Sequence, residues 1–496
     1  MQAADMTSTP YNQAVVFYDA QNYVEALALA KSAIDDTPQG LQYLYIAVRC
    51  YILLKKFEEA LALLGKTQTP TDTKNVFSTQ LESIALTCEA LLGAKRYDQA
   101  SALLLQVHDA GYLNARQSFQ LVYCLSIVGR KEEAKALLLH YSDFARSSSE
   151  NALENLILIQ KLNDIRLETH FCEMIWQHFR ADLVNDELAW LLGLIMMCHG
   201  KWRTGSLLHE RRFAAKKIDV QTYVPCAKLW QGEPIKGKVV LIYGDQGMGD
   251  NINFCRFARN LHAMRPAKLI YAVMAGAVPL LAELEYLDET IALENIPDSG
   301  IDYFVPSTSL IHRLEITPDK VATPLPMWNF GQKMCKSFIR PANRKPRVGF
   351  FWKGNPNTQS DNERSVPTEN FQEVLSLSGI KFFGLQWGMS SQELSEIFDH
   401  PLRSLGDKLY DMKAAAKVIA QMDLLIGCDS AYIHLAGAMG VPAWVLVSAS
   451  PDWRWGRDRE DTIWYDSVRV IRQTHDGQWH DVVSRVCQDL HDIFGT

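Results

Sequence analysis

The feature that most restricts the fold of this sequence is an internal repeat. The segments NYVEALALAKSAI, KFEEALALLGK, RYDQASALLLQV and RKEEAKALLLHY follow one another at spacings of 34, 40 and 34 residues, counted from Tyr23, Phe57, Tyr97 and Lys131. A weaker copy lies near Leu167, and GKWRTGSLLHERR adds another at Trp202. The clearer copies share a small residue three positions after this start: Ala26, Ala60, Ala100, Ala134 and Gly205.

A unit of about 34 residues with a small side chain at a fixed place predicts two antiparallel helices that pack closely and stack on the next unit. The pattern resembles the tetratricopeptide repeat over about 200 residues. We therefore predict an all-α, tetratricopeptide-like solenoid over residues 1–215. Such an array serves either as a spacer or dimerisation surface, or as a concave groove that binds a protein; we favour the groove.

Composition limits the partners and the compartment. The formal net charge of −7 and the pI near 6.0 argue against a surface built for nucleic acid. The N-terminus lacks the basic and apolar regions of a secretory signal, and no run of 18 apolar residues predicts a membrane span. We expect a cytoplasmic protein. The ten cysteines form no Cys-x-x-Cys pair and mostly lie in apolar segments, which predicts buried thiols.

From residue 236 the pattern changes to short apolar runs that alternate with helical stretches, which predicts parallel strands covered by helices. The predicted strands lie within 238–244, 267–274, 302–306, 347–354, 380–386, 423–429 and 443–448. The segment RPANRKP, 340–346, reads as a hinge. We predict two Rossmann-like lobes, an acceptor-side lobe over 216–340 and a donor-side lobe over 341–496, with a last helix at 481–494.

Ligands of such sheets bind beyond the carboxyl ends of the strands. After the first strand, YGDQGMGDNINF carries Gly247 and Gly249, which permit a tight turn, and Asp250 at the start of a helix. After a later strand, CDSAYIHLAGAMG carries Asp429, then Ser430 at a predicted N-cap and His434 one turn into the helix. A helix start of this kind suits phosphate.

The loop between these two, FWKGNPNTQSDNERSVP, supplies basic and amide side chains. Lys353, Asn355 and Arg364 are candidates to contact a diphosphate, and Gln386 follows the next strand. Together the loops predict a nucleotide site in a cleft between the lobes.

The motifs GDQGMGDNINFCRF, WKGNPNTQSDNERSVP, CDSAYIHLAGAMGVPAWVL and PDWRWGRDREDTIWYDSVRVIRQ resemble those of bacterial tetratricopeptide-linked glycosyltransferases. Their catalytic half is similar to the lipopolysaccharide heptosyltransferases, of the GT-B fold. The tandem arrangement also resembles O-linked N-acetylglucosamine transferases and flagellin glycosyltransferases. The resemblance spans residues 200 to 480 and implies a nucleotide-sugar donor.

The resemblance also implies roles for single residues. Asp250 corresponds to the proposed base, the segment from Asp429 to Leu435 to the donor-binding segment, and Lys353 to a basic residue near the donor. Ala431 stands where the family has glycine. Sugar transfer needs a group that takes the acceptor proton and charge stabilisation on the departing phosphate. No Asp-x-Asp pair follows a strand, so neither a metal nor another cofactor is required.

Each candidate also has a purely structural interpretation. Asp250 suits a helix cap, His434 a satisfied core histidine, and Lys353 and Arg364 a solvated loop. Trp453, Trp455 and Trp464 either shape the pocket or pin their loop to the core. These readings are retained as alternatives.

The leading hypothesis is transfer of a sugar to a protein hydroxyl, with a flagellin Ser or Thr as a candidate acceptor and the protein held by the repeat array. One alternative is a lipopolysaccharide or other glycan acceptor. Another is a non-catalytic scaffold with a degenerate GT-B fold.

Overall fold

A computed structural model describes most of the chain. The residues described are 10–34, 40–65, 76–140, 152–153, 156–157, 159, 165–179, 184–321, 326–332, 341, 343–354, 364–399, 402–474 and 477–494. The chain divides into two compact units, an N-terminal unit, Met1–Leu162, and a C-terminal unit, Asn163–Thr496. The predicted border at residue 215 falls inside the C-terminal unit, and the three predicted domain ranges stay a prediction.

The N-terminal unit is built from helix pairs. Its helices are α1 (Pro10–Asp19), α2 (Tyr23–Ala33), α3 (Gly40–Leu53), α4 (Phe57–Leu64), α5 (Val76–Gly93), α6 (Tyr97–Asp109), α7 (Ala115–Ile127) and α8 (Lys131–His140). The second helix of each pair begins at the residue that marked the repeat in the sequence. The small residue three positions later, Ala26, Ala60, Ala100 or Ala134, is fully buried. The predicted tetratricopeptide-like array is confirmed here.

The turn inside each pair has one backbone geometry. The residue two positions before the second helix is left-handed, with φ between 58° and 86°: Gln21, Lys55, Lys95 and Gly129. The next residue donates its N–H to the carbonyl five positions earlier, at 2.8 to 2.9 Å. This is the hydrogen bond of a Schellman motif, which satisfies carbonyl groups at the end of the first helix.

The C-terminal unit opens with further helices, Ile165–Phe179, Asp186–Cys198, Trp202–His209 and Arg212–Ala215. The turn before Trp202 repeats the same geometry at Gly200, with φ of 75°. A Cβ at Gly205 would lie 2.8 Å from the carbonyl oxygen of Gly193, so the close approach of these two helices requires glycine. None of the described helices has the length and apolarity that a membrane crossing requires.

Two parallel sheets follow in the same unit. The first contains β1 (Lys228–Leu229), β2 (Val239–Tyr243), β3 (Lys268–Val273), β4 (Glu289–Ala292) and β5 (Tyr303–Pro306), in the order β1-β5-β2-β3-β4. The second contains β6 (Arg347–Phe351), β7 (Lys381–Gly384), β8 (Arg403–Ser404), β9 (Leu424–Cys428), β10 (Ala443–Val447) and β11 (Val468–Arg472), in the order β11-β10-β9-β6-β7-β8. We call them the first and second lobe.

All seven predicted strands are present, which confirms the α/β class. The sequence did not single out β1 and β8, which have two residues each, or β4 and β11, in which charged and apolar residues mix. The α-helices of the lobes are Met248–Phe254, Ala258–Ala263, Val278–Leu281, Leu310–Arg313, Phe371–Leu375, Ser391–Phe398, Met412–Ile419, Ala431–Met439 and Trp479–Phe494. The last helix begins two residues before its predicted start and packs on Phe371–Leu375 and β11.

One buried apolar cluster runs through both lobes and includes Trp202, Phe257 and Trp464. Most of the described cysteines are buried thiols, as predicted. Seven of the nine described cysteines are buried, but Cys226 is exposed, and Cys335 lies outside the described residues.

Candidate functional site

The loops that follow β2 and β9 meet where the two lobes touch. A Cβ placed on Gly249 would lie 2.9 Å from Cδ2 of His434 and 3.3 Å from Cα of Ala431. Gly249 thus lets the helix Met248–Phe254 of the first lobe approach the helix Ala431–Met439 of the second. The structure brings together the two segments that the sequence singled out for different steps of the chemistry.

The glycine loop is held in place by a buried amide. A Cβ at Gly244 would lie 1.9 Å from the side-chain oxygen of Asn251, so only glycine leaves room for it. The Asn251 amide donates to the carbonyl of Gly247 at 2.8 Å, and Gly247 itself is the N-cap of the helix. A side chain of the helix therefore holds the loop that precedes it.

Asp245 anchors the same loop to the preceding helices, and its role was not predicted from the sequence. Its carboxylate accepts hydrogen bonds from Arg212 at 2.9 Å, from the Thr308 hydroxyl at 2.7 Å and from the Ser307 hydroxyl at 3.1 Å. The side chains of Arg212 and Asp245 are almost completely buried. Breaking such a buried pair leaves an uncompensated charge, so Asp245 serves to position the loop.

Asp250 is the third residue of its helix, and its carboxylate forms an ion pair with Arg454 of the second lobe. Arg454 also donates to Asp452 at 2.7 Å, and its guanidinium lies 4.6 Å from the ring centre of Trp453. A hydrogen bond from the Gly247 backbone reaches Asp250 as well. The structure thus gives Asp250 the capping contact while its carboxylate faces the other lobe.

Burial raises the pKa of Asp250 above its ordinary value, and the charges of Asp452 and Asp245 add to this effect. Arg454 and the Gly247 backbone lower it, without cancelling the rise. A raised pKa makes a carboxylate a better proton acceptor. Sequence inspection missed Arg454, although the flanking tryptophans of DWRWGR were a signal for a held cation.

The pKa of Asp429 is raised to about 6, chiefly by burial and by the charge of Asp452. A hydrogen bond with Trp455 and the charges of Arg364 and Arg454 lower it. Arg364 therefore acts electrostatically on Asp429, although three strands, β7, β8 and β9, lie between them in the sequence. This places the second and third predicted loops in one site.

Ser430 is the N-cap of the helix Ala431–Met439, as predicted, and its hydroxyl accepts a hydrogen bond from the Tyr432 N–H at 3.3 Å. Ala431 begins the helix and contacts Gly249 through its backbone. The helix start is therefore intact without the glycine that the family pattern has at this position.

His434 is buried and belongs to a chain of hydrogen bonds between the lobes. The Tyr465 hydroxyl donates to the Asn253 side-chain oxygen at 2.9 Å and lies 3.1 Å from Nδ1 of His434. Nδ1 of His434 is thus engaged with Tyr465, and Nε2 is the other hydrogen-bonding nitrogen of the ring. Burial, Arg454 and Arg256 hold the pKa of His434 well below its ordinary value, so the ring is neutral.

Lys353 and Gln386 are joined through the Lys353 backbone. The Gln386 amide nitrogen donates to the Lys353 carbonyl and its oxygen accepts from the Lys353 N–H, both at 3.2 Å. The Lys353 side chain is exposed beyond the carboxyl end of β6. Asn355 lies outside the described residues. The donor-binding roles of this set stay a prediction.

The three tryptophans divide between the two readings that the sequence left open. Trp453 and Trp464 pack against Trp202, with ring centres 5.7 and 5.3 Å away, and so pin their loop to the core. Trp455 stacks on His434 at 5.1 Å and thus supports a candidate site residue.

A cavity of about 260 Å³ opens beside Arg454. It is bordered by the turn 197–202, by Pro318 of the first lobe and by the tryptophan loop 453–463. We call it the junction cavity, because the helices before β1 and both lobes contribute to it.

Comparison with known proteins gives matches to both parts of the chain. A family model described as anaphase-promoting complex, cyclosome, subunit 3 matches residues 5–67. Protein FlbA of Caulobacter vibrioides is 27% identical over 331 residues, which cover 60% of this chain and 54% of FlbA. The chain thus spans about half the length of this curated relative.

Among solved structures, the chain is similar to a glycosyl transferase of family 9 from Veillonella parvula, with 13% identity over 53% of this chain and 99% of that chain and a TM-score of 0.36. The ADP-heptose lipopolysaccharide heptosyltransferase II of E. coli is 16% identical over 52% of this chain and 98% of that chain, with a TM-score of 0.34. A Thermobaculum terrenum O-GlcNAc transferase mutant is 12% identical over 99% of this chain and 92% of that chain, with a TM-score of 0.25.

The helix pairs, the family match over residues 5–67 and the two parallel sheets together define the architecture. The chain combines a tetratricopeptide-like helical array with a two-lobed α/β fold built on two parallel sheets.

Proposed function

We propose that this protein is a glycosyltransferase that moves a sugar from a nucleotide-sugar donor to a hydroxyl of a protein acceptor, which the helical array recruits. The observation that carries the proposal is the convergence of three post-strand loops at one point. Asp250 faces Arg454 across the lobes, and Arg364 acts on Asp429 beside the Ser430 helix start.

The donor phosphates would lie at the start of the helix Ala431–Met439, whose free N–H groups and dipole favour negative charge. Lys353 and Arg364 would add positive charge there. The charges of Arg364 and Arg454 act on Asp429 and offset the repulsion between its carboxylate and a phosphate.

In the transfer step the acceptor hydroxyl oxygen forms a bond to the anomeric carbon, and the bond from that carbon to the donor phosphate breaks. The hydroxyl proton passes to the Asp250 carboxylate, and the nucleotide leaves with the electron pair of the broken bond. The neutral His434 ring would form a hydrogen bond at Nε2 with a sugar hydroxyl, a role that suits it better than contact with a phosphate.

The acceptor would reach Asp250 through the junction cavity, whose lining includes Arg454, the ion-pair partner of Asp250. Its tryptophan side chains and backbone groups suit a polypeptide or a sugar more than an anion, because the Arg454 charge is already matched by two carboxylates.

Purified protein incubated with nucleotide sugars and candidate protein acceptors tests the proposal, with product detected by intact mass. We expect an increase in acceptor mass equal to one sugar, unchanged by a metal chelator. Absence of both transfer and donor hydrolysis across UDP-, GDP-, ADP- and CMP-sugars would contradict it. Partner binding without any transfer would favour a scaffold instead.

A further inference from the structure

Trp387 differs from every other tryptophan of the chain. All twelve lie in described parts of the structure; nine are buried and two are partly buried. The Trp387 side chain is 69% exposed. An exposed indole gives up the burial that stabilises a fold, and its apolar faces are available to contact a ligand.

The turn that carries Trp387 is held rigidly. Gln386, the residue before it, bonds twice to the backbone of Lys353. Gly388, the residue after it, is left-handed with φ of 72°, and its N–H donates to the carbonyl of Gly406 at 3.4 Å. A Cβ at Gly406 would lie 2.1 Å from the Gln386 carbonyl oxygen, so the two backbones are in close contact. Trp387 is therefore exposed on a fixed support.

The position of this turn matches the geometry of a nucleotide. Trp387 follows β7, Lys353 follows β6 and Ser430 follows β9, and β9, β6 and β7 are neighbours in that order in one parallel sheet. The carboxyl ends of these strands meet at the same edge. Two strand spacings, about 10 Å, separate the ends of β9 and β7. A ribose and its attached phosphate bridge such a distance when the phosphates lie at Ser430.

We propose that Trp387 is the stacking platform for the nucleobase of the donor. This inference rests on the proposed function, because it assumes that the phosphates bind at the Ser430 helix start. The face of an indole stacks on any base, so Trp387 supplies affinity for the nucleoside part without choosing among bases. Selection among uracil, guanine, adenine and cytosine then belongs to other groups at this edge.

The test measures nucleotide affinity by titration calorimetry of the full chain and of three variants. Trp387→Ala should weaken the best-binding nucleoside diphosphate about ten- to a hundredfold, the range expected for loss of one base-aromatic stack. Trp387→Phe should retain affinity within a few fold, since a smaller ring still stacks. Tyr112→Ala, which removes an exposed aromatic ring of the N-terminal unit, is the matched control and should change nothing.

Inorganic pyrophosphate is the second probe, because it occupies the phosphate position and has no base. Its affinity should be equal in the full chain and in Trp387→Ala. Equal nucleotide affinity in both proteins, or an equal loss for pyrophosphate and nucleotide, would overturn the platform while leaving the proposed function standing. If the unaltered chain binds no UDP, GDP, ADP or CMP, the proposed function fails, and the platform fails with it.

Discussion

Arg454 connects the charges of the candidate site. Its guanidinium pairs with Asp250 and Asp452, and its charge also acts on Asp429 and His434. One guanidinium charge therefore acts on the protonation of Asp250, Asp429 and His434. Two predictions at the scale of single residues follow from this arrangement.

Asp250→Asn removes the proton acceptor but keeps the size of the side chain. If Asp250 is the base, sugar transfer should fall about 10²- to 10⁴-fold, while nucleotide affinity changes little. Single-turnover transfer and calorimetric titration measure the two effects. Asp298→Asn, at an exposed loop position of the first lobe, is the control. Transfer within a few fold of the unaltered protein would show that Asp250 is only a helix cap.

The raised pKa of Asp429 predicts a dependence of stability on pH. The folded protein binds the Asp429 proton more tightly than the unfolded chain, so its contribution to the free energy of unfolding is full below pH 4 and is lost as the pH rises through 6. Asp429→Asn should remove this loss, roughly 1–3 kcal/mol between pH 4 and 7. Urea unfolding at several pH values checks this, and a slope equal to that of the unaltered protein would contradict it.

At the scale of elements, the turn between the two helices of a pair has the same backbone geometry in five places. Its left-handed position holds glycine in two turns, Gly129 and Gly200, but glutamine or lysine in three others. The backbone geometry is therefore kept by the packing of the helices even where the side chain disfavours it. This difference between copies permits a paired test.

Gly129→Ala should destabilise the N-terminal unit by about 1 kcal/mol, because a residue with a Cβ is strained in the left-handed region. A Cβ at Gly129 meets nothing within 4 Å, so the cost is conformational and not steric. Lys95→Gly should act in the opposite direction by a smaller amount, since glycine loses more freedom on folding. Denaturant unfolding of both variants measures this, and effects of the same sign would contradict it.

Glu168 ties the helix Ile165–Phe179 to the tryptophan loop. Its buried carboxylate lies 2.5 Å from Arg457 and 2.6 Å from His199. Glu168→Gln should cost about 3–5 kcal/mol because Arg457 is then buried without its counter-charge. Glu173→Gln, on the same helix and in an exposed pair with Lys201, should cost less than about 1 kcal/mol. Thermal unfolding measures both losses of stability. Equal losses in the two variants would contradict the difference expected between the buried and the exposed ion pair.

At the scale of the whole molecule, the division at residue 162 suggests a deletion that separates recruitment from chemistry. Removal of Met1–Leu162 should leave nucleotide affinity intact and abolish transfer to a protein acceptor, if the array recruits it. Transfer to a glycan acceptor that survives the deletion would favour the lipopolysaccharide alternative. The deletion must end before Glu168, since a longer one removes partners of Arg457 and Asp245.

The sequence predicted most of the architecture, because repeat spacing and apolar runs are local signals. It also located Gly249, Asp250 and Ser430 at loops that do converge. It did not indicate Arg454, Asp245 or Tyr465, whose partners are distant in the chain and are brought near only by the packing of the lobes. Nor did it indicate Trp387, because exposure depends on what the rest of the fold leaves uncovered.

The buried ion pairs Glu168–Arg457 and Arg212–Asp245 also limit where segments can be exchanged between related proteins. An exchange of repeats before residue 162 leaves both ion pairs unchanged, because all four of their residues lie in the C-terminal unit. An exchange that cuts just after Glu168 pairs Arg457 with a foreign sequence, and one that cuts just after Arg212 does the same to Asp245. Chimeras that combine other repeats with the two lobes should therefore keep the helices from Ile165 to Ala215 together with those lobes.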